Sequence, residues 1–269
     1  CFCDSLSESL RRTYDTFIVT APHTSRSLIA AGIDGCRGGW VCAGWNGEDW
    51  SLDCLPTLQS IVPMLAPRAT VCIDIPIGLS SDGFRDCDRA ARQLLGKRRS
   101  SVFPVPPRLA LAPLTYEEIN LASKGHCGKG VSKQAFHLLP KIRETEALLG
   151  SSCSDNFDWL ETHPELCFSS FNGAVPMEHN KKTDAGFCER KTVLACHIPA
   201  RTIDRLLQNL MASVPRAQCA RDDMVDALVC GVVARLDGEE RDCLPPGVQE
   251  FDEVGLPMRI CYPIAPASQ

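Results

Sequence analysis

Aspartates recur in this chain where an ionised side chain is hard to keep. Asp34 lies in Gly32-Ile33-Asp34-Gly35-Cys36-Arg37-Gly38-Gly39, a glycine-flanked turn directly ahead of the strand-like run Trp40-Val41-Cys42-Ala43-Gly44-Trp45. Asp74 interrupts the apolar run Val71-Cys72-Ile73-Asp74-Ile75, and Asp222, Asp223 and Asp226 cluster far downstream. Desolvating a carboxylate without compensation is strongly unfavourable. The pattern therefore implies that folding gathers negative charge on purpose, and a divalent cation, Mg²⁺ or Mn²⁺, would make such a gathering stable. Phosphodiester cleavage by two metals needs a carboxylate set of this kind, holding cations about 3.5–4 Å apart. The competing reading has Asp34 and Asp74 capping turns and Asp222 capping a helix. We assign Asp222 mainly to the cap and Asp226 mainly to metal, with Asp223 between the two.

Cationic residues form a second group. Lys97, Arg98, Arg99 and Arg108 surround Ser100 and Ser101 in a stretch stiffened by Pro104, Pro106, Pro107 and Pro113. Guanidinium forks and hydroxyls of this kind suit phosphate oxygens, although the arginines would serve equally well as ion-pair partners of Asp86 and Asp88. Lys124, Lys129, Lys133 and Lys141 could add a basic rim. In Glu161-Thr162-His163-Pro164-Glu165, His163 is a candidate general acid or base and Glu161 a candidate auxiliary carboxylate. Lys182 or Arg190 could neutralise charge in a transition state, or else pair with the acidic cluster.

These groups need a frame. Residues 29–34, 40–46 and 50–55 read as consecutive strands, with Gly47-Glu48-Asp49 as the hairpin turn. Leu58, Ile61, Val62 and Leu65 predict a helix over 55–65, kinked near Pro63. Ala69 to Ile75 is apolar enough for a central strand covered on both faces. Beyond it, Asp82 to Leu95 predicts a helix and 100–113 a rigid loop. Thr115 with Glu118 forms a capping box, and Ser132 caps a further helix whose continuity Pro140 limits. Another strand is expected within 159–168. Ile203, Leu206, Leu207, Leu210 and Met211 mark one amphipathic helix, and Val225, Leu228, Val229 and Val232 a second. On that last helix Asp222, Asp223 and Asp226 share a face through their i+3 and i+4 spacing.

Composition narrows the class. The 269 residues, 44% of them hydrophobic, suffice for one large domain. A net charge of −5 provides no global attraction for nucleic acid, so a polyanion would have to use a local patch. No apolar run approaches the roughly 20 residues of a membrane span. The 16 cysteines show no zinc-ligand spacing and read as reduced, mostly structural thiols, which suggests a cytoplasmic or other reducing intracellular compartment. Gly32-x-x-Gly35-x-x-Gly38-Gly39 fits neither dinucleotide nor P-loop spacing and leads to a strand rather than a helix. We divide the chain into a tail at 1–27 that could be the remnant of a transit peptide, a domain at 28–240, and a tail or edge segment at 241–269.

The order strand, strand, strand, helix, strand resembles that of the ribonuclease H-like fold. Gly32-Ile33-Asp34-Gly35, Asp74-Ile75-Pro76-Ile77-Gly78-Leu79, Arg98-Arg99-Ser100-Ser101-Val102-Phe103-Pro104, Pro140-Lys141-Ile142, Glu161-Thr162-His163-Pro164-Glu165 and Ala220-Arg221-Asp222-Asp223-Met224-Val225-Asp226-Ala227-Leu228 together resemble a predicted-nuclease family catalogued as domain-of-unknown-function family 429. The resemblance implies a mixed central sheet flanked by helices, with a large helical and loop insertion after the fourth strand. It also implies a Mg²⁺- or Mn²⁺-dependent nuclease or phosphodiesterase acting on nucleic acid or nucleotides. In that comparison Asp34 matches the first-strand metal ligand, Asp74 the fourth-strand ligand, and Asp223 or Asp226 the acidic pair of the last helix. The alternative from another class is a non-catalytic nucleic-acid or nucleotide-binding regulatory protein that retains the fold.

Overall fold

The structure, a computed structural model, describes residues 26–83 and 85–265, so most of the expected N-terminal tail lies outside the described residues. Strands β1 (Leu28–Cys36), β2 (Gly39–Trp45), β3 (Trp50–Leu55), β4 (Leu65–Ile73) and β5 (Asp158–Glu161) form one five-stranded sheet in the order β3-β2-β1-β4-β5. The first three are antiparallel to one another as paired, whereas β4 runs parallel to β1 and β5 parallel to β4. The remaining major elements are α1 (Asp86–Leu95), α2 (Tyr116–Cys127), α3 (Lys133–Leu149), α4 (Pro164–Phe171), α5 (Asp184–Leu194), α6 (Ala200–Ser213), α7 (Arg221–Arg235) and a second sheet of β6 (Arg241–Leu244) and β7 (Ile260–Pro263). A mixed sheet enclosed by helices in this way is compatible with a ribonuclease H-like α/β fold. No helix among the described residues is long and apolar enough to cross a membrane.

Strand periodicity decides which way each acid points. Ala31 and Ile33 of β1 and Val71 and Ile73 of β4 pack into the layer made with α2 and α3. Ala30 and Cys72 join the opposite layer, built with α4, α5, α6 and α7. Because side chains alternate across a strand, Asp34 and Asp74, each one residue beyond an isoleucine of the first layer, fall on the α7 side. The pairing of Ile33 with Ile73 then sets the two acids next to each other at the ends of parallel strands.

Close approach of α7 completes the arrangement. A Cβ on Gly32 would lie 1.9 Å from the Gly231 nitrogen and 2.3 Å from the Ala227 oxygen, so only glycine lets this helix rest on β1. Asp226, immediately before Ala227, is thereby carried to the strand ends. The helix interior is almost wholly buried from Met224 to Ala234, which fixes its rotation as well as its distance.

Several expectations change. Asp34 is not in a turn but inside β1, which runs on to Cys36. The segment at 55–65 is a 3₁₀ helix from Leu58 to Met64, and β4 begins at once at Leu65. Pro140 does not stop α3: the proline sits on an exposed face, where the carbonyl it leaves without an amide partner can meet water. The strand expected within 159–168 ends at Glu161, because Pro164 opens α4 at its first position. Cysteines 243 and 261 are not reduced thiols. They lie opposite each other in the β6–β7 pair and form a disulfide, whereas the other described cysteines are free.

Candidate metal centre

Asp34, Asp74 and Asp226 each offer a carboxylate oxygen, and these oxygens all lie within 4.8 Å of one another. Asp34 and Asp226 are buried, and Asp74 is partly open. The Asp74 amide donates to the Ile33 carbonyl (2.9 Å), continuing the ladder by one residue and holding the second acid beside the first. Burial, followed by repulsion from Asp74 and Asp226, pushes the Asp34 carboxyl well above its ordinary range. Burial, followed by repulsion from Asp226, raises Asp74 to about 7. Three close hard-oxygen donors, short of compensating positive charge, make a donor set that fits Mg²⁺ or Mn²⁺.

A cation of the chain itself reaches this cluster. Lys181 Nζ lies 2.5 Å from Asp226 Oδ2 and is also attracted to Asp34 and Asp74. Its loop is held on several sides. Thr183 accepts from the Gly186 amide at the start of α5, Glu189 accepts from the Glu178 and His179 amides, and Arg221 of α7 pairs with Asp184. A Cβ on Gly186 would meet the Asn180 carbonyl at 2.0 Å, so the chain around Lys181 can close only with glycine there. Lys182, the residue expected from sequence, is exposed, and it is the preceding lysine that enters the centre.

Asp223 takes the capping part. Its carboxylate accepts from the Ala220 amide (3.0 Å) and so caps α7, while burial raises it to about 6 and repulsion from Asp222, then Asp226, adds to the shift. It adjoins the cluster without being one of the three converging acids. Asp222 is not the cap, because Ala220 occupies that position and Asp222 lies within the first turn.

The other expected residues have partners of their own or are exposed. Both Glu161 oxygens lie 2.6 Å from Arg85 nitrogens, and Glu161 also accepts from the Ile77 amide (2.7 Å). Burial raises its carboxyl while the Arg85 guanidinium pulls the other way. His163, at the N-terminus of α4, is 3.4 Å from the Ser101 carbonyl through Nε2, and burial lowers its pKa. Arg98 donates through Nε to the Met177 carbonyl (2.7 Å), and Ser101 Oγ donates to the Arg98 carbonyl (2.7 Å). Arg99 and Ser100 are exposed. Arg190 is buried against Glu165 (2.6 Å) and donates to the His179 and Gly186 carbonyls, so it supports the Lys181 loop from beneath. Arg108 is committed to Glu146 and Asp252.

A family profile described as "Protein of unknown function (DUF429)" matches residues 32–250, a span that includes all three acids and Lys181. The chain belongs to the DUF429 family. No curated protein and no solved structure matches it. Within this DUF429 chain the matched span runs from β1 through β6, so the whole sheet and both layers of helices fall almost entirely inside it.

The raised carboxyls set a pH dependence. Asp74 has an ordinary value of 3.8 and reaches about 7 in the folded, metal-free protein, so the folded state holds its proton more tightly than the unfolded chain. Its contribution to stability is therefore full below about pH 4 and lost as pH rises through about 7. Asp74→Asn should gain stability relative to wild type across that window, with the largest gain above pH 7. Denaturant unfolding of both metal-free proteins from pH 4.5 to 8 checks this, and a difference that stays flat with pH would contradict it.

Proposed function

We propose that this DUF429 protein is a nuclease or phosphodiesterase dependent on Mg²⁺ or Mn²⁺, with Asp34, Asp74 and Asp226 holding the cation. The observation that carries the reading is the convergence of those acids from two parallel strand ends and one helix onto a single point. A hard cation bound there supplies an activated water and offsets charge on the phosphoryl oxygens. Asp223, one helical turn before Asp226, adds negative charge at the rim. Glu161 acts by clamping Arg85 and the Ile77 amide beneath the Asp74 strand end. His163, kept neutral by burial, positions the 98–101 segment through the Ser101 carbonyl.

Substrate contact falls to the basic segment. Arg99 joins Arg92 and Arg89, the last of these paired with Asp86, around a surface hollow of about 440 Å³, a local patch of arginines in a chain of net negative charge. The Ser101 carbonyl ties the same segment to His163, which lies within electrostatic reach of Asp226. This patch is the proposed seat for nucleic-acid or nucleotide phosphates, with Lys182 as an exposed cation on the Lys181 loop and Arg190 as its buried support.

A non-catalytic nucleic-acid or nucleotide binder is the second reading, and the Lys181–Asp226 ion pair favours it, because the acids then already have a counter-ion. Purified protein assayed with Mg²⁺ or Mn²⁺ on single- and double-stranded DNA, RNA, hybrid duplexes and model phosphodiesters separates the two. The enzyme reading predicts turnover that chelation abolishes. Binding with no turnover on any substrate would establish the binder instead.

A further inference from the structure

We propose that Lys181 is the resident counter-ion of the acidic centre and competes with the divalent cation for Asp226, so that metal entry and departure of the lysine ammonium are a single exchange. This rests on the metal reading above and adds a residue that sets which cations can bind. Three carboxylates lie within 4.8 Å of one another, two of them buried, and such a group is costly to fold without a cation among them. Lys181 supplies it: its ammonium touches Asp226 at 2.5 Å, and the Asp226 side chain is only 1% exposed, so this acid has little access to water as a substitute.

The contact is built to release. The lysine side chain is 38% exposed, so its end can move to solvent while the loop that carries it stays in place. That loop is anchored independently by Glu189 at its start, by the Thr183 cap and by the Arg221–Asp184 pair. Displacement therefore requires rotation of one side chain and no refolding. Charge decides which ions achieve it. Once all three acids are ionised, they and one ammonium leave a net charge of about −2, and exchange of the ammonium for a dication leaves about −1. A monovalent ion offers no more charge than the lysine it would replace. The exchange thus selects hard divalent cations over Na⁺ and K⁺. Retaining both cations on Asp226 would set an ammonium against a dication at contact distance.

Two measurements test the exchange. Mn²⁺ affinity, read by electron paramagnetic resonance of the free ion, should be at least about fivefold tighter for Lys181→Met than for wild type, a typical size for coupling between two ligands. Lys181→Arg keeps the charge and should remain close to wild type. The second measurement uses wild type alone, in case the methionine variant folds poorly. Acetylation of Lys181 by a soluble active ester, followed by mass spectrometry, should speed up severalfold when Mg²⁺ is added, because the ammonium is freed. Equal Mn²⁺ affinity in wild type and Lys181→Met, or labelling of Lys181 that does not change while Mn²⁺ demonstrably binds, would overturn the exchange and leave the metal centre standing. Failure of wild type, Lys181→Met and Lys181→Arg alike to bind Mn²⁺ would overturn the metal centre itself and the exchange with it.

Discussion

Asp34→Asn is expected to reduce metal-dependent phosphodiester hydrolysis by about 10³-fold or more, since the charge stabilisation lost with a metal is worth several kcal/mol. The same substitution should leave the fold intact. In the metal-free protein the Asp34 carboxyl is already raised well above its ordinary range, mainly by burial, so asparagine replaces an acid that resists ionisation with a neutral group of nearly the same shape. Mn²⁺ should raise the melting temperature of wild type clearly and that of Asp34→Asn little, because only a ligand bound to the native state stabilises it. The phosphate binding proposed for the segment around Arg99 should survive. Turnover measured beside thermal melting with and without Mn²⁺ checks all of this. An active Asp34→Asn enzyme, or equal Mn²⁺ shifts in both proteins, would remove Asp34 from the centre.

Arg85→Ala is expected to cost about 3–5 kcal/mol of folding stability, the range found when one partner of a buried ion pair is deleted. The guanidinium is 1% exposed and grips Glu161 and Asp88 at 2.6 Å each. It also donates to the Ile77 and Gly78 carbonyls at 3.1 and 3.3 Å. Truncation would leave two buried carboxylates without a cation and free the backbone that follows Asp74. Arg99→Ala, an exposed arginine a short distance along the same region, should change stability by less than about 0.5 kcal/mol. Denaturant unfolding of the two variants makes the comparison, and similar losses for both would show that the clamp is not the source.

The fold was readable in the sequence wherever a local pattern also settles tertiary placement. Strand alternation around Ile33 and Ile73 is enough to put Asp34 and Asp74 on one face once the strands are neighbours, and the i+3 spacing of Asp223 and Asp226 is intrinsic to a helix. The Thr115 capping box formed as the Thr-x-x-Glu spacing implies. What stayed hidden depends on contacts distant along the chain or on one-residue choices of a turn. Arg85 and Glu161 are 76 residues apart, and nothing near either one announces the pairing. In Asn180-Lys181-Lys182-Thr183 the two lysines are chemically identical, and only the Thr183 cap and the tight approach of Gly186 to Asn180 decide which ammonium turns inward. The cap of α7 shows the same limit: Asp222 looks like a cap in sequence, but the helix begins at Arg221, so it is Asp223 that reaches back to the Ala220 amide.

A crystal structure of the protein soaked in Mn²⁺, with anomalous data collected at the manganese edge, tests the central claim most directly. An anomalous peak bounded by carboxylate oxygens of Asp34, Asp74 and Asp226 at about 2.1 Å is the expected result, with the Lys181 ammonium withdrawn from Asp226. No peak among these three acids under saturating Mn²⁺, with Lys181 still paired to Asp226, would contradict it.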